Sequence, residues 1–187
     1  MKILSLDISS HTGWAVIEDN KLLHYGKIDI QCEDSSWPLG ILNWSKEISS
    51  KIFDLINNTE CDKIIIERAN SSRFRNSQNF LDWVHFDLIN TLVDEGYYEK
   101  LLYRDSSLWR KLVGIKLTKD QKKQNKMAKA ASKKKQILKV NGKRAGKVTK
   151  KHLAILKCNE VFQTNFKLKE NDIAEACLLG YSYFIQQ

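Results

Sequence analysis

A chain of 187 residues with 42% hydrophobic content can bury one good core, and its length demands no second domain. No run of eighteen apolar residues occurs and the first strand begins directly after Met1-Lys2, which argues against a membrane span or secretory signal and predicts a soluble, cytoplasmic protein. The formal charge of +9 is concentrated: Lys116 to Lys151 carries fifteen Lys or Arg against the single acid Asp120, +14 in 36 residues, leaving the rest of the chain at −5. Such a segment predicts a polyanionic partner, with a solvated surface tract as the alternative.

Taken in order, the first third reads as a three-stranded meander over residues 2–8, 13–19 and 21–30, with Gly13 and Asp19-Asn20 as turn signals. Short links between consecutive strands imply antiparallel pairing. Pro38, the sole proline, opens a helix in which Leu39, Ile41, Leu42, Ile48, Ile52, Leu55 and Ile56 recur near helical spacing. A strand over 62–67 follows, and the intervening helix makes a parallel crossover the natural connection. The helix over 77–94 should bury Phe80, Leu81, Val84, Leu88, Leu92 and Val93, with Gly96 ending it.

Residues 100–103 form a short strand, and 106–113 a short helix capped by Asp105 or Ser106 and stopped by Gly114. Beyond the basic segment, a helix over 149–164 takes Thr149 as N-cap and turns Leu153, Leu156, Val161 and Phe162 inward. The last helix, 171–185, carries Ala174, Cys177, Leu178, Tyr181 and Phe184. Cys32, Cys61, Cys158 and Cys177 lack C-x-x-C spacing and read as reduced packing residues. The five tryptophans read as core or dimer contacts ahead of base-stacking platforms.

Four acids stand out. Asp7 ends the apolar run Ile3-Leu4-Ser5-Leu6, and Glu67 ends Lys63-Ile64-Ile65-Ile66. A buried strand that finishes in a carboxylate places a costly charge at the sheet's edge unless a cation or donor meets it. Asp172 and Glu175 are three apart, hence on one helical face, although each taken alone also suits a helix N-terminus. Four converging carboxylates without partners repel one another and are stable at neutral pH mainly when divalent cations bind. Hard oxygen donors suit Mg²⁺, with Mn²⁺ as substitute. The pattern predicts a two-ion phosphodiester-cleaving centre in which Asp7 bridges, Glu67 holds one ion, and Asp172 with Glu175 holds the other.

The order of elements is an α/β one: a mixed five-stranded sheet, three antiparallel strands followed by parallel crossovers, flanked by helices, the ribonuclease H-like arrangement. Within it the sequence resembles the RuvC-type Holliday junction resolvases, through Leu4-Ser5-Leu6-Asp7-Ile8 with Thr12-Gly13-Trp14-Ala15, Ile64-Ile65-Ile66-Glu67, and Asp172-Ile173-Ala174-Glu175-Ala176 beside the family's D-A-A-D-A helix start. Tyr103 to Gly114 also resembles the stretch that leads to the family's lysine-bearing loop. The resemblance implies one nuclease domain over 1–187 with a basic insertion at about 116–151. It further implies a homodimer making paired nicks in four-way DNA junctions.

Two departures bear on the site. Glu175 stands where the cellular enzymes usually have Asp, and the enlarged loop leaves Lys150 or Lys151 as the match to the family's loop lysine, with Lys150 assigned the catalytic role. Compact lysine-rich variants of this kind are similar to resolvases carried by bacteriophages. Arg68, Arg73 and Arg75 are expected to flank the cleft and contact DNA together with Lys150 and Lys151. Phe74 is either a wedge at the junction or an ordinary packing residue. His11 reads as a turn histidine without catalytic role, a phosphate or water contact being the alternative.

Other readings remain open: a ribonuclease H acting on hybrids, a transposase-like nuclease, or an idle branched-DNA-binding protein of the same fold. An actin-like ATPase fits poorly, since 187 residues hold one copy of this fold and no second glycine-rich phosphate loop.

Overall fold

The computed structural model describes residues 1–31, 33–34, 36–68, 75–133, 139–140, 143–144 and 146–186, with backbone alone for 75–77, 133, 139–140 and 143–144. Its main sheet contains β1 (Lys2–Asp7), β2 (His11–Glu18), β3 (Lys21–Asp29), β4 (Lys63–Glu67) and β5 (Leu101–Arg104), in the order β3-β2-β1-β4-β5. β2 is antiparallel to both β1 and β3, whereas β4 is parallel to both β1 and β5. Both crossovers pass through long helices, α1 (Leu39–Asn57) and α2 (Arg75–Asp94).

The two central strands explain the layering. Ile3, Leu4 and Leu6 of β1 and Ile64, Ile65 and Ile66 of β4 are all fully buried, the signature of strands covered on both faces. Leu4, Leu6, Ile64 and Ile66 pack under α1 and α2 with Ile48, Ile52, Val84 and Leu88. Ile3 and Ile65 point the other way, toward α3 (Ser106–Leu112), α5 (Lys150–Phe162) and α6 (Asn171–Ile185), where they meet Trp109, Ala154, Cys158 and Leu178. Side-chain alternation along each strand therefore assigns each helix to a layer.

Several details differ from expectation. β2 begins two residues earlier than predicted and reaches His11, since His11 pairs with Asp29 of β3. Leu39, Val93 and Leu156, expected inward, are exposed because each lies off the buried stripe of its helix. Asp105 occupies the N-cap of α3 without a side-chain capping bond. Thr149 does cap α5, its hydroxyl oxygen accepting from the His152 amide. The basic segment contains α4 (Lys119–Lys133) and a small hairpin, β6 (Lys139–Val140) with β7 (Lys143–Arg144), neither of which was legible in its charge run.

Asn125 of α4 fastens that helix to the approach to α5, its amide accepting from the Val148 N–H and donating to the Val148 carbonyl at 2.8 Å each. Cys61, Cys158 and Cys177 are buried and free, and Cys32 lies outside the described residues. No described helix is long and apolar enough to cross a membrane.

Candidate active site

The sheet register brings the acids together. Asp7 is the last residue of the central strand and pairs with Gly13 of β2. Gly13 in turn lies against the start of α6: a Cβ there would fall 2.1 Å from the Asp172 carbonyl oxygen and 2.8 Å from the Ile173 nitrogen. Only a residue without a side chain lets helix and strand approach this closely. A second anchor lies further along, where the Ser5 hydroxyl donates to the Ala176 carbonyl at 2.7 Å and packs against Gly180. Ala174, Ala176 and Cys177, all small, keep α6 on the sheet.

As a result, carboxylate oxygens of Asp7, Asp172 and Glu175 all lie within 4.8 Å of one another. An all-oxygen donor set of this kind fits a hard divalent cation such as Mg²⁺ or Mn²⁺, which these three residues would hold. Burial pushes the Asp7 carboxyl well above its ordinary range. The nearby charges of Glu67, Glu175 and Asp172 push in the same direction, and Lys151 opposes them. Taking Asp7 out of water and crowding it with like charges both favour the protonated form when no cation is bound.

Glu67 stands apart from that trio. Its carboxylate accepts a 2.6 Å hydrogen bond from the indole N–H of buried Trp109, and Arg110 Nη2 lies 3.9 Å from the same oxygen. Arg110 also donates to Glu175 Oε1 at 2.6 Å, its guanidinium lying 4.6 Å from the centre of the Trp109 ring. The cluster is thus not four bare carboxylates, as the sequence suggests, because two consecutive residues of α3 tie down both glutamates. Sequence alone reads Trp109 as a core or dimer contact and gives Arg110 no role. The signal that could have found them is the position of α3 directly after β5, the neighbour of β4, which sets its first turns over the Glu67 end of the sheet.

Of the two candidate lysines, Lys151 reaches the acids, donating to Asp172 Oδ1 at 3.1 Å, while Lys150 is exposed at the start of α5. Asp172 lies in the first turn of α6, and Glu175 follows one turn on. Arg68 is exposed just beyond β4, 3.9 Å from Asp105. Arg73 and Phe74 lie outside the described residues, and Arg75 is described by backbone alone, as the first residue of α2. His11 is held at the start of β2 by Asp29, at 2.5 Å from its Nδ1, and Lys27 pairs with the same carboxylate at 3.0 Å.

A mixed sheet in this order, with carboxylates gathered at the ends of its central strands and on the last helix, is the α/β architecture of the ribonuclease H-like proteins. More narrowly, the chain has the RuvC-type resolvase fold. Thermus thermophilus RuvC in complex with a Holliday junction substrate is similar with a TM-score of 0.63 at 9% identity, over 99% of this chain and 93% of that one. Thermus thermophilus RuvC in a second structure matches with the same TM-score at 11% identity, over 99% and 94% of the two chains. The yeast mitochondrial Holliday junction resolvase matches with a TM-score of 0.53 at 16% identity, over 98% of this chain and 77% of its own. No family model matches the chain, and no curated protein matches it. The likeness is therefore one of fold, carried by topology and not by sequence.

Proposed function

We propose that this chain is a structure-selective endodeoxyribonuclease that resolves four-way junctions and related branched DNA by paired, metal-dependent phosphodiester hydrolysis. The observation that carries the reading is the convergence of Asp7, Asp172 and Glu175 oxygens within 4.8 Å on a RuvC-type fold. Mg²⁺, two ions per site with Mn²⁺ able to replace it, would activate water and stabilise the leaving 3′ oxygen when bound. Asp7, Asp172 and Glu175 would supply hard oxygen ligands, and Glu67 a further one from the neighbouring strand. Lys151, already donating to Asp172, orients that carboxylate, and so takes the role that the family resemblance gives to Lys150.

DNA contact would fall to the basic insertion, where Lys122, Lys123, Lys126 and Lys129 stand exposed along α4, with Arg68 just beyond β4. The arginines at 73 and 75, Phe74, and the two lysines at 150 and 151 complete the proposed DNA-binding set. Exposed Val93, Tyr98 and Tyr103 help line a groove of 410 Å³, and exposed Phe86, seven residues before Val93 on the same face of α2, extends this apolar strip. This strip suits a second copy of the chain, and two copies are what opposed nicks on a junction require. A bacteriophage enzyme working in the host cytoplasm is in keeping with the compact, lysine-rich chain.

The test incubates the protein and its Asp7→Asn variant with labelled four-way junction, linear duplex and RNA–DNA hybrid, in Mg²⁺, Mn²⁺ or EDTA. Paired nicks confined to the junction, dependent on metal and absent in the variant, are expected. Cleavage of the hybrid would redirect the reading to a ribonuclease H. Tight junction binding without cutting would make the chain a DNA-binding protein. Deleting residues 119–147 should weaken junction binding and flatten its dependence on salt, because fewer counterions are then released.

A further inference from the structure

Arg110 is a cation already in place among the acids. Its guanidinium donates to Glu175 at 2.6 Å, approaches Glu67 to 3.9 Å and is 15% exposed. Its Nε is buried and, among the described residues, has no hydrogen-bond partner. An arginine inserted only to hold two glutamates would be expected to use its planar fork of donors fully. Here one donor goes unused and the charge is directed at Glu175, one of the three residues that gather as a cation site. A carboxylate oxygen that accepts a guanidinium hydrogen bond this short has less electron density to offer a metal, and the positive charge repels an arriving ion directly.

We propose that Arg110 competes with the divalent ion for Glu175 and Glu67, so that the DNA-free centre is held in a weakly loading state by its own arginine. This inference rests on the metal-centre reading above and adds to it a residue that sets how tightly the ions bind. Trp109 serves the same arrangement from the neighbouring position. Its indole N–H keeps Glu67 in place, and its ring face supports the guanidinium at 4.6 Å. Glu67 thereby keeps a donor when Arg110 turns away, so releasing the arginine does not strand a buried charge.

The test measures Mn²⁺ binding to the DNA-free protein by calorimetry and by the electron paramagnetic resonance of the free ion, for wild type, Arg110→Gln and Asp7→Asn. A unit charge about 6 Å from a divalent ion opposes its binding by about tenfold even at the dielectric constant of water, so Arg110→Gln should bind Mn²⁺ at least about tenfold more tightly. A merely structural role predicts the opposite sign, because loosened glutamates would bind the ion less well. Unchanged or weaker Mn²⁺ binding in Arg110→Gln therefore overturns the proposal. Should the glutamine variant prove unstable, Arg110→Met, which removes both the charge and the donors to Glu175 while keeping an unbranched apolar side chain, is held to the same tenfold tightening.

The two readings separate in one experiment. Equal binding by wild type and Arg110→Gln, abolished by Asp7→Asn, would overturn the competition and leave the metal centre standing. No binding to either would overturn both.

Discussion

Replacing Asp7 with asparagine should stabilise the metal-free protein while abolishing cleavage. Oxygens of Asp7, Asp172 and Glu175 lie within 4.8 Å of one another. Each such pair of charges costs about 0.9 kcal/mol at the dielectric constant of water and about 3.5 kcal/mol at an effective value of about 20. Lys151 at 3.1 Å from Asp172 and Arg110 at 2.6 Å from Glu175 offset part of this. Removing the Asp7 charge should then return about 2 kcal/mol, roughly 4–8 °C in Tm for a chain of this size.

The pH dependence follows from the raised Asp7 pKa. Below the ordinary carboxylate range the side chain is protonated in both folded and unfolded chains, and the variant should gain little. As pH rises past that range the unfolded chain releases its proton first, so the wild type loses stability until the folded pKa is passed. The variant escapes this loss, and its advantage should grow as pH rises from about 4 to about 8. Added Mg²⁺ should reverse the order, since ion at about a hundredfold excess over its Kd contributes about 2.7 kcal/mol to the wild type and little to the variant. Thermal melts at pH 4 and 8, in EDTA and in Mg²⁺, make the measurement. An Asp7→Asn protein melting at or below wild type at pH 8 in EDTA would show that like-charge repulsion is not centred on Asp7, and one gaining as much from Mg²⁺ as wild type would show that metal binding is not.

Trp109→Phe keeps an aromatic ring in the core but removes the donor to Glu67 Oε2, a loss of about 1.5–3 kcal/mol for a hydrogen bond to a charged group. Chemical denaturation should show that drop, and a smaller one when Glu67→Gln is already present; equal costs in both backgrounds would mean that the bond contributes nothing to stability. Gly13→Ala would place a methyl 2.1 Å from the backbone of Asp172 and must shift the start of α6. Since a misplacement of about 1 Å can cost about a hundredfold in rate, cleavage should fall by about that factor, and near-normal turnover would show that helix and strand can part without disturbing the acids. Phe86→Glu with Val93→Lys puts charge on the exposed apolar strip, and sedimentation should report a monomer that nicks only one strand of a junction. A dimer of unchanged stability would place the interface elsewhere.

The elements and their layers follow from local pattern. Ile3-Leu4-Ser5-Leu6 and Ile64-Ile65-Ile66 are apolar on both faces, so they had to be central strands, and the helices between them had to cover the sheet. Each run also ends in an acid, which makes Asp7 and Glu67 visible in the sequence, and the spacing of three puts Asp172 and Glu175 on one helical face. Only local periodicity was needed for any of this.

Contacts between residues far apart in the chain were not legible in this way. Gly13 looks like a turn residue, yet it is the point at which α6 touches β2, and it brings Asp172 to Asp7 across 165 residues of sequence. Trp109 and Arg110 carry no pattern of their own; their role comes from β5 lying beside β4, which places α3 over Glu67. Lys151 and not Lys150 reaches Asp172 because the Thr149 cap fixes the rotation of α5. Local pattern shows which residues want burial or charge. Which of them meet is fixed by register and close approach, and those arise only when the whole sheet is assembled.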